Sequence, residues 1–172
     1  MKHIMRRKTL TMTIAENKCE YLVITNFKSD LKDSAKKDAI ILSARVHPGE
    51  SSSSHVMEGL LTILTGDSQK ALDMRDKFLF KVVPMLNPDG VITGNYRTNL
   101  AGFDLNRNWS TPDKKFHPTI HFAKKMIEDL GKSKNITLYI DIHNHSRKKN
   151  IFSYGCTGRG CIFRLLIEIF RP

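Results

Sequence analysis

Two short apolar runs, AIILSA at residues 39–44 and ITLYIDI at residues 136–142, each give way almost at once to a histidine-bearing polar stretch, HPGE and HNH respectively. A brief apolar run without polar alternation fits a strand covered on both faces, and no other feature narrows the choice of fold as much. Further strands are expected over Glu20–Phe27 (EYLVITNF) and Phe78–Leu86 (FLFKVVPML), the latter ended by the turn-forming NPDG, with a short one at IFSY, residues 151–154. Two stretches between them have helical spacing. Val56, Leu60, Ile63 and Leu64 recur after HPGE with Gly66 as a stop, and Ile120, Ala123, Ile127 and Leu130 recur before a stop at Gly131. Strands alternating with helices predict an α/β sheet with helices on both faces. In such sheets sites gather at the carboxyl ends of strands, where HPGE and HNH fall.

The 172 residues, 40% apolar and 26% charged, suit one domain with a single sizeable core. A net charge of +11 favours an anionic partner (nucleic acid, acidic lipid or acidic polypeptide) without choosing among them. Neither an aromatic-and-basic RNA motif nor zinc-finger spacing is present, which argues against nucleic acid. No run approaches the ~20 apolar residues of a membrane-spanning helix. Cys19, Cys156 and Cys161 are too few and too odd in number for a disulfide framework, which points to a reducing compartment. The basic start MKHIMRRKTLTMTI lacks the unbroken apolar segment of a secretory signal and has only a passing likeness to a mitochondrial presequence. NWS at Asn108 and NIT at Asn135 match the glycosylation pattern, which means nothing without a secretory route.

Catalytic zinc takes three protein ligands and keeps one position open. His47 and Glu50 offer two from one strand-to-helix turn, and His143, at the end of another strand, offers a third. Each has a plainer reading. Glu50 also suits the positive end of the following helix, and His145 competes with His143. In NYRTNLAGFDLNRNW, Arg97, Asn106 and Arg107 suit recognition of a carboxylate, since guanidinium matches it in a planar, bidentate way. The alternative there is that Arg107 pairs with Asp104 while Asn106 caps a turn. Asp141 either orients a ligand histidine or bonds a backbone amide. His145 and Ser146 receive no role.

HPGE, VPMLNPDGV, GNYR, DLNRNW and DIHNHSRKKNIFSYGC, in this order, resemble the zinc carboxypeptidases, and within them the cytosolic carboxypeptidase branch, over residues 20–156. The resemblance implies a mixed, mostly parallel twisted sheet with helices on both faces. It implies one zinc ion held by His47, Glu50 and His143. Arg97 would polarise the scissile carbonyl, and Asn106 and Arg107 would grip the terminal carboxylate, making an exopeptidase. The branch further implies a cytoplasmic enzyme that removes glutamates from acidic polypeptide tails, tubulin's among them.

Two departures stand out. The family's proton-shuttling glutamate lies on a later strand, whereas this chain ends at Pro172 with Glu168 as the sole glutamate of a divergent tail, residues 157–172. Nor is there room for the β-rich domain that precedes the catalytic one in the branch. The expectation is one incomplete carboxypeptidase domain over residues 1–172, lacking its C-terminal part, with little or no turnover as it stands. A lost general base alone costs roughly 10²–10⁴-fold in rate. Two alternatives remain: a non-catalytic zinc-containing module that docks on acidic tails, and a zinc amidohydrolase of acyl-amino acids on a related fold.

Overall fold

The computed structural model describes residues 3–29 and 35–155. The basic start forms a strand, β1 (Met5–Met12), which makes an antiparallel hairpin with β2 (Lys18–Ile24). The three consecutive basic residues Arg6, Arg7 and Lys8 are exposed along this sheet edge, and charge of that kind discourages pairing with another chain. β3 (Asp38–Ala44) lies between β4 (Phe78–Val83) and β5 (Ile136–Ile142) and runs parallel to both. The sheet order is β1-β2-β4-β3-β5.

The sheet is mixed and mostly parallel in strand direction, as expected: among the described residues β2 alone runs against the other four strands. Parallel pairing is confined to β4-β3-β5, and the β1–β2 and β2–β4 pairs are antiparallel. The hairpin explains half of this, because a tight turn permits only antiparallel pairing whereas parallel neighbours need a crossover.

Helices cover both faces. On one side α1 (Ser51–Thr65) and α2 (Gln69–Lys77) meet Ile24, Leu42, Ala44, Phe80 and Val82. On the other, α4 (Pro118–Gly131) buries Ile120, Ala123 and Met126 against Cys19, Val46 and Val83. The short α3 (Pro88–Thr93) starts within NPDG, where the Asn87 side chain accepts the Gly90 amide at 3.0 Å. Asp89 of the same motif accepts bonds from the Ala15 amide and the Asn17 side chain, both at 3.0 Å, and so ties the β1–β2 turn to the sheet's working end.

Three local expectations shift. In α1 the buried stripe runs through Ser53, Met57 and Leu64, while Val56 and Ile63 are 51% and 53% exposed. The segment VMEGLLTIL is apolar nearly all round, so spacing alone did not select the buried face. α2 escaped notice because QKALDMRDK buries only Ala71 and Arg75. IFSY forms no strand.

Candidate metal centre

His47 and Glu50 owe their positions to a tightly packed turn at the end of β3. Val46 is fully buried and His47 is 4% exposed, so the turn is anchored from below. Gly49 donates its amide to Tyr96 O at 2.7 Å, and a Cβ there would come within 2.5 Å of the Tyr96 ring. Only glycine fits that approach. Arg45 staples the turn from the side, its Nε donating to Pro48 O and its Nη1 to Ser54 Oγ, each at 2.7 Å. Glu50 occupies the N-cap position of α1, and its carbonyl accepts the Ser53 amide at 3.0 Å. That leaves its carboxylate free to turn inward. His143 arrives from the neighbouring strand, where Ile142 of β5 is paired with Ala44 of β3.

The three side chains converge. His47 Nδ1 lies 2.9 Å from Glu50 Oε1, His143 Nδ1 lies 3.1 Å from Glu50 Oε2, and one donor atom from each residue fits within 4.8 Å of the other two. Each imidazole thus presents Nδ1 to the centre. Behind each, Nε2 meets a carboxylate: Asp104 Oδ1 for His47 at 2.9 Å and Asp141 Oδ2 for His143 at 2.7 Å. Two histidines and a carboxylate, with both outward nitrogens held by acidic partners, fit a zinc ion in donor chemistry and in outer support.

The charges follow from the contacts. Burial pushes the Glu50 carboxyl up, yet hydrogen bonds from His143, His47 and the Asn144 amide outweigh it and hold the group well below the usual carboxylate range. Hydrogen bonds to Asp141 and then Glu50, opposed by burial, raise His143 to about 9. Burial also raises Asp104, but the bonds to His47 and the Asn106 amide and the nearby Arg97 leave it lowered.

Asp104 is the site residue that sequence reasoning missed. It is not the partner of Arg107. Its Oδ2 accepts Arg97 Nε at 2.8 Å, and its Oδ1 accepts the Asn106 amide at 3.0 Å while facing His47. One carboxylate thereby links Arg97 to a candidate ligand. Its signal was present in DLNRNW, because a residue that caps a 3-10 turn (Leu105–Arg107) while leaving an oxygen free suits a bridging role. Asn106 Oδ1 accepts Trp109 Nε1 at 3.0 Å, and among the described residues the exposed Arg107 side chain reaches only its neighbour's carbonyl, Asn106 O, at 3.5 Å. Arg97, Asn106 and Arg107 therefore share one loop that joins the centre through Asp104.

Asp141 takes the first of its two expected roles and orients His143. It is held in turn by Ser43 Oγ at 2.6 Å, which lies 2.9 Å from Tyr139 OH. His145 is no competitor for the centre, because its Nδ1 accepts the amides of Arg147 and Lys148. Cys156, Cys161 and Glu168 lie outside the described residues.

A family model for zinc carboxypeptidase matches residues 1–159. The chain belongs to the zinc carboxypeptidase family. Cytosolic carboxypeptidase 3 of Mus musculus is 51% identical over 152 residues, which cover 88% of this chain and 15% of that protein. Cytosolic carboxypeptidase 2 of Homo sapiens is 47% identical over 163 residues, 95% of this chain and 18% of that protein. The chain thus spans less than a fifth of the length of these relatives. A metallo-carboxypeptidase from Burkholderia cenocepacia superposes with a TM-score of 0.73 at 32% identity, covering 82% of this chain and 37% of that one.

Family membership accounts for the position of the centre. In this zinc carboxypeptidase chain both histidines stand just past the carboxyl ends of adjacent parallel strands, which is where open α/β sheets place their sites. Among the described residues no helix is long and apolar enough to cross a membrane.

Proposed function

We propose that the protein is a cytoplasmic zinc metallocarboxypeptidase that removes C-terminal glutamates from acidic polypeptide tails, those of tubulin among them. The observation that carries the reading is the convergence of His47, Glu50 and His143 with an aspartate behind each imidazole. These residues would hold one zinc ion. When bound, zinc supplies Lewis-acid polarisation of a carbonyl and acidification of water.

The chain's own residues supply the rest. Asp104 fixes Arg97 through Nε and leaves the outer guanidinium nitrogens to meet charge that develops on the scissile carbonyl oxygen. Asn106 and Arg107, on the turn that Asp104 caps, bind the carboxylate of the chain end. Fixing the chain end limits attack to the last peptide bond. Net charge of +11 supports an acidic substrate, and the names of the relatives support a cytosolic setting.

The test is a measurement of bound zinc together with glutamate released from a peptide ending in several glutamates. About one zinc per chain is expected, with at most slow release from these 172 residues, ceasing on chelation. Zinc and peptide binding without release would favour a non-catalytic docking module. Release from acyl-amino acids alone would favour an amidohydrolase. No zinc binding at all sinks the proposal.

A further inference from the structure

Directly after His143 the chain runs through NHSRKKNIFSYG, residues 144–155, which contain no aspartate or glutamate. Arg147, Lys148 and Lys149 are exposed there, and among the described residues none of them takes part in an ion pair. An ordinary solvated charge run has no fixed shape, but this loop has one. Its first amide, Asn144 N, donates to Glu50 Oε2 at 2.9 Å, which roots the loop on a candidate metal ligand. His145 Nδ1 accepts the amides of Arg147 and Lys148 at 3.1 and 3.0 Å, fixing the bend that carries the cations. Lys148 Nζ sits 5.0 Å from the Phe152 ring centre and 4.6 Å from that of Tyr154. Those two rings meet edge-on at 5.5 Å, and Phe152 leans on His145 at 5.5 Å. An ammonium held by aromatic rings keeps its charge while losing rotamer freedom, so little further ordering is needed to receive an anion.

We propose that Arg147, Lys148 and Lys149 form a subsite for acidic side chains that precede the last residue of a polypeptide substrate. The proposal rests on the reading of the metal centre as a peptidase site whose terminal residue is taken by Asn106 and Arg107. The residues ahead of that terminal one pass the rim of the centre, and the bond to Glu50 makes the basic loop part of the rim. An acidic side chain there meets three cations that have no acidic partner among the described residues, whereas a neutral one gains nothing. The contacts are exposed, so each adds modestly and salt screens them; their main yield is selectivity and rate of association. A single-stranded nucleic acid would seek the same charges together with free stacking faces; Lys148 lies over one face each of Phe152 and Tyr154, and because Tyr154 stays 70% exposed the oligonucleotide is one of the probes.

The test titrates the zinc-loaded full chain and its R147Q/K148M/K149Q variant by fluorescence anisotropy. The probes are a labelled oligoglutamate peptide, a glutamine-rich peptide ending in one glutamate, and a single-stranded oligodeoxynucleotide. Zinc content is the folding control. The preference for oligoglutamate over the glutamine-rich peptide is expected to fall about tenfold in the variant, with a flatter salt dependence. A charge-preserving R147K/K148R/K149R variant should keep it. An unchanged preference overturns the proposal, and so does a loss of oligonucleotide affinity in place of peptide affinity. If zinc binding is absent while the preference still depends on these residues, the peptidase reading falls and the acidic subsite stands. The reverse pattern removes the subsite alone.

Discussion

Asp104 and Asp141 stand behind the two histidines, 57 positions from His47 in one case and two from His143 in the other. Each fixes which imidazole nitrogen faces the centre, so each is expected to act on metal affinity without touching the metal. Asp141→Asn should weaken zinc binding by about 10–100-fold, read by competition with a chelating dye. An unchanged affinity would show that His143 needs no such support. The titration of His143 gives a second prediction, for protein treated with chelator. His143 binds its proton more tightly in the folded state, at about 9, than in the unfolded state, at about 6.5. Its stabilising contribution is complete below about pH 6.5 and is lost as pH rises through about 9. Glu50 contributes in the opposite sense, present above about pH 4.3 and lost as the solution is made acidic. The melting temperature of the chelated protein should therefore decline between about pH 7 and pH 9. A flat profile across that window would remove the His143–Asp141 bond from the account.

At the scale of the element, the end of α1 depends on a charge that sequence pattern treats as surface. Arg75, 2% exposed, reaches from α2 to donate Nη1 to Leu64 O and Gly66 O, both at 2.7 Å. These are carbonyls that a helix end leaves without an internal partner. Arg75→Met keeps much of the apolar stem and removes the donors, so a loss of about 1–3 kcal/mol is expected in urea unfolding. A change below the scatter of the method would mean that water replaces the guanidinium without cost. The shifted stripe of α1 belongs to the same scale. Of the four residues at helical spacing Leu64 is buried and Leu60 packs beside it, while Val56 and Ile63 face out and Met57 takes the inward place, because the helix axis, not its composition, sets the inward face.

For the whole molecule, the centre joins two segments that the chain keeps far apart, since Glu50 and His143 are 93 positions distant. Zinc bound across them would favour the folded state by mass action, by about 4 kcal/mol when free zinc exceeds its dissociation constant a thousandfold. For a domain of this size that corresponds to a rise in melting temperature on the order of 10 °C, which calorimetry with and without chelator would measure. No rise at saturating zinc would mean that the ligand set does not assemble in the folded chain.

Much of this was legible locally. Continuous apolar runs marked β3 and β5, helical spacing and Gly131 marked α4, and the spacing in HPGE placed His47 and Glu50 on one turn. These signals are local because strand period, helix period and turn chemistry are properties of neighbouring residues. The basic strand β1 and the polar α2 were not legible, since their stability comes from what they pack against and not from their own pattern. The sequence by itself determined the candidate ligands and the strands that carry them. Only the tertiary structure decided that Ala44 lies beside Ile142, that Asp104 serves His47 and Arg97 together, and that His145 is turned to its own backbone. The physical reason is that parallel register and loop closure follow from long-range packing of the sheet faces, which no local stretch of chain encodes.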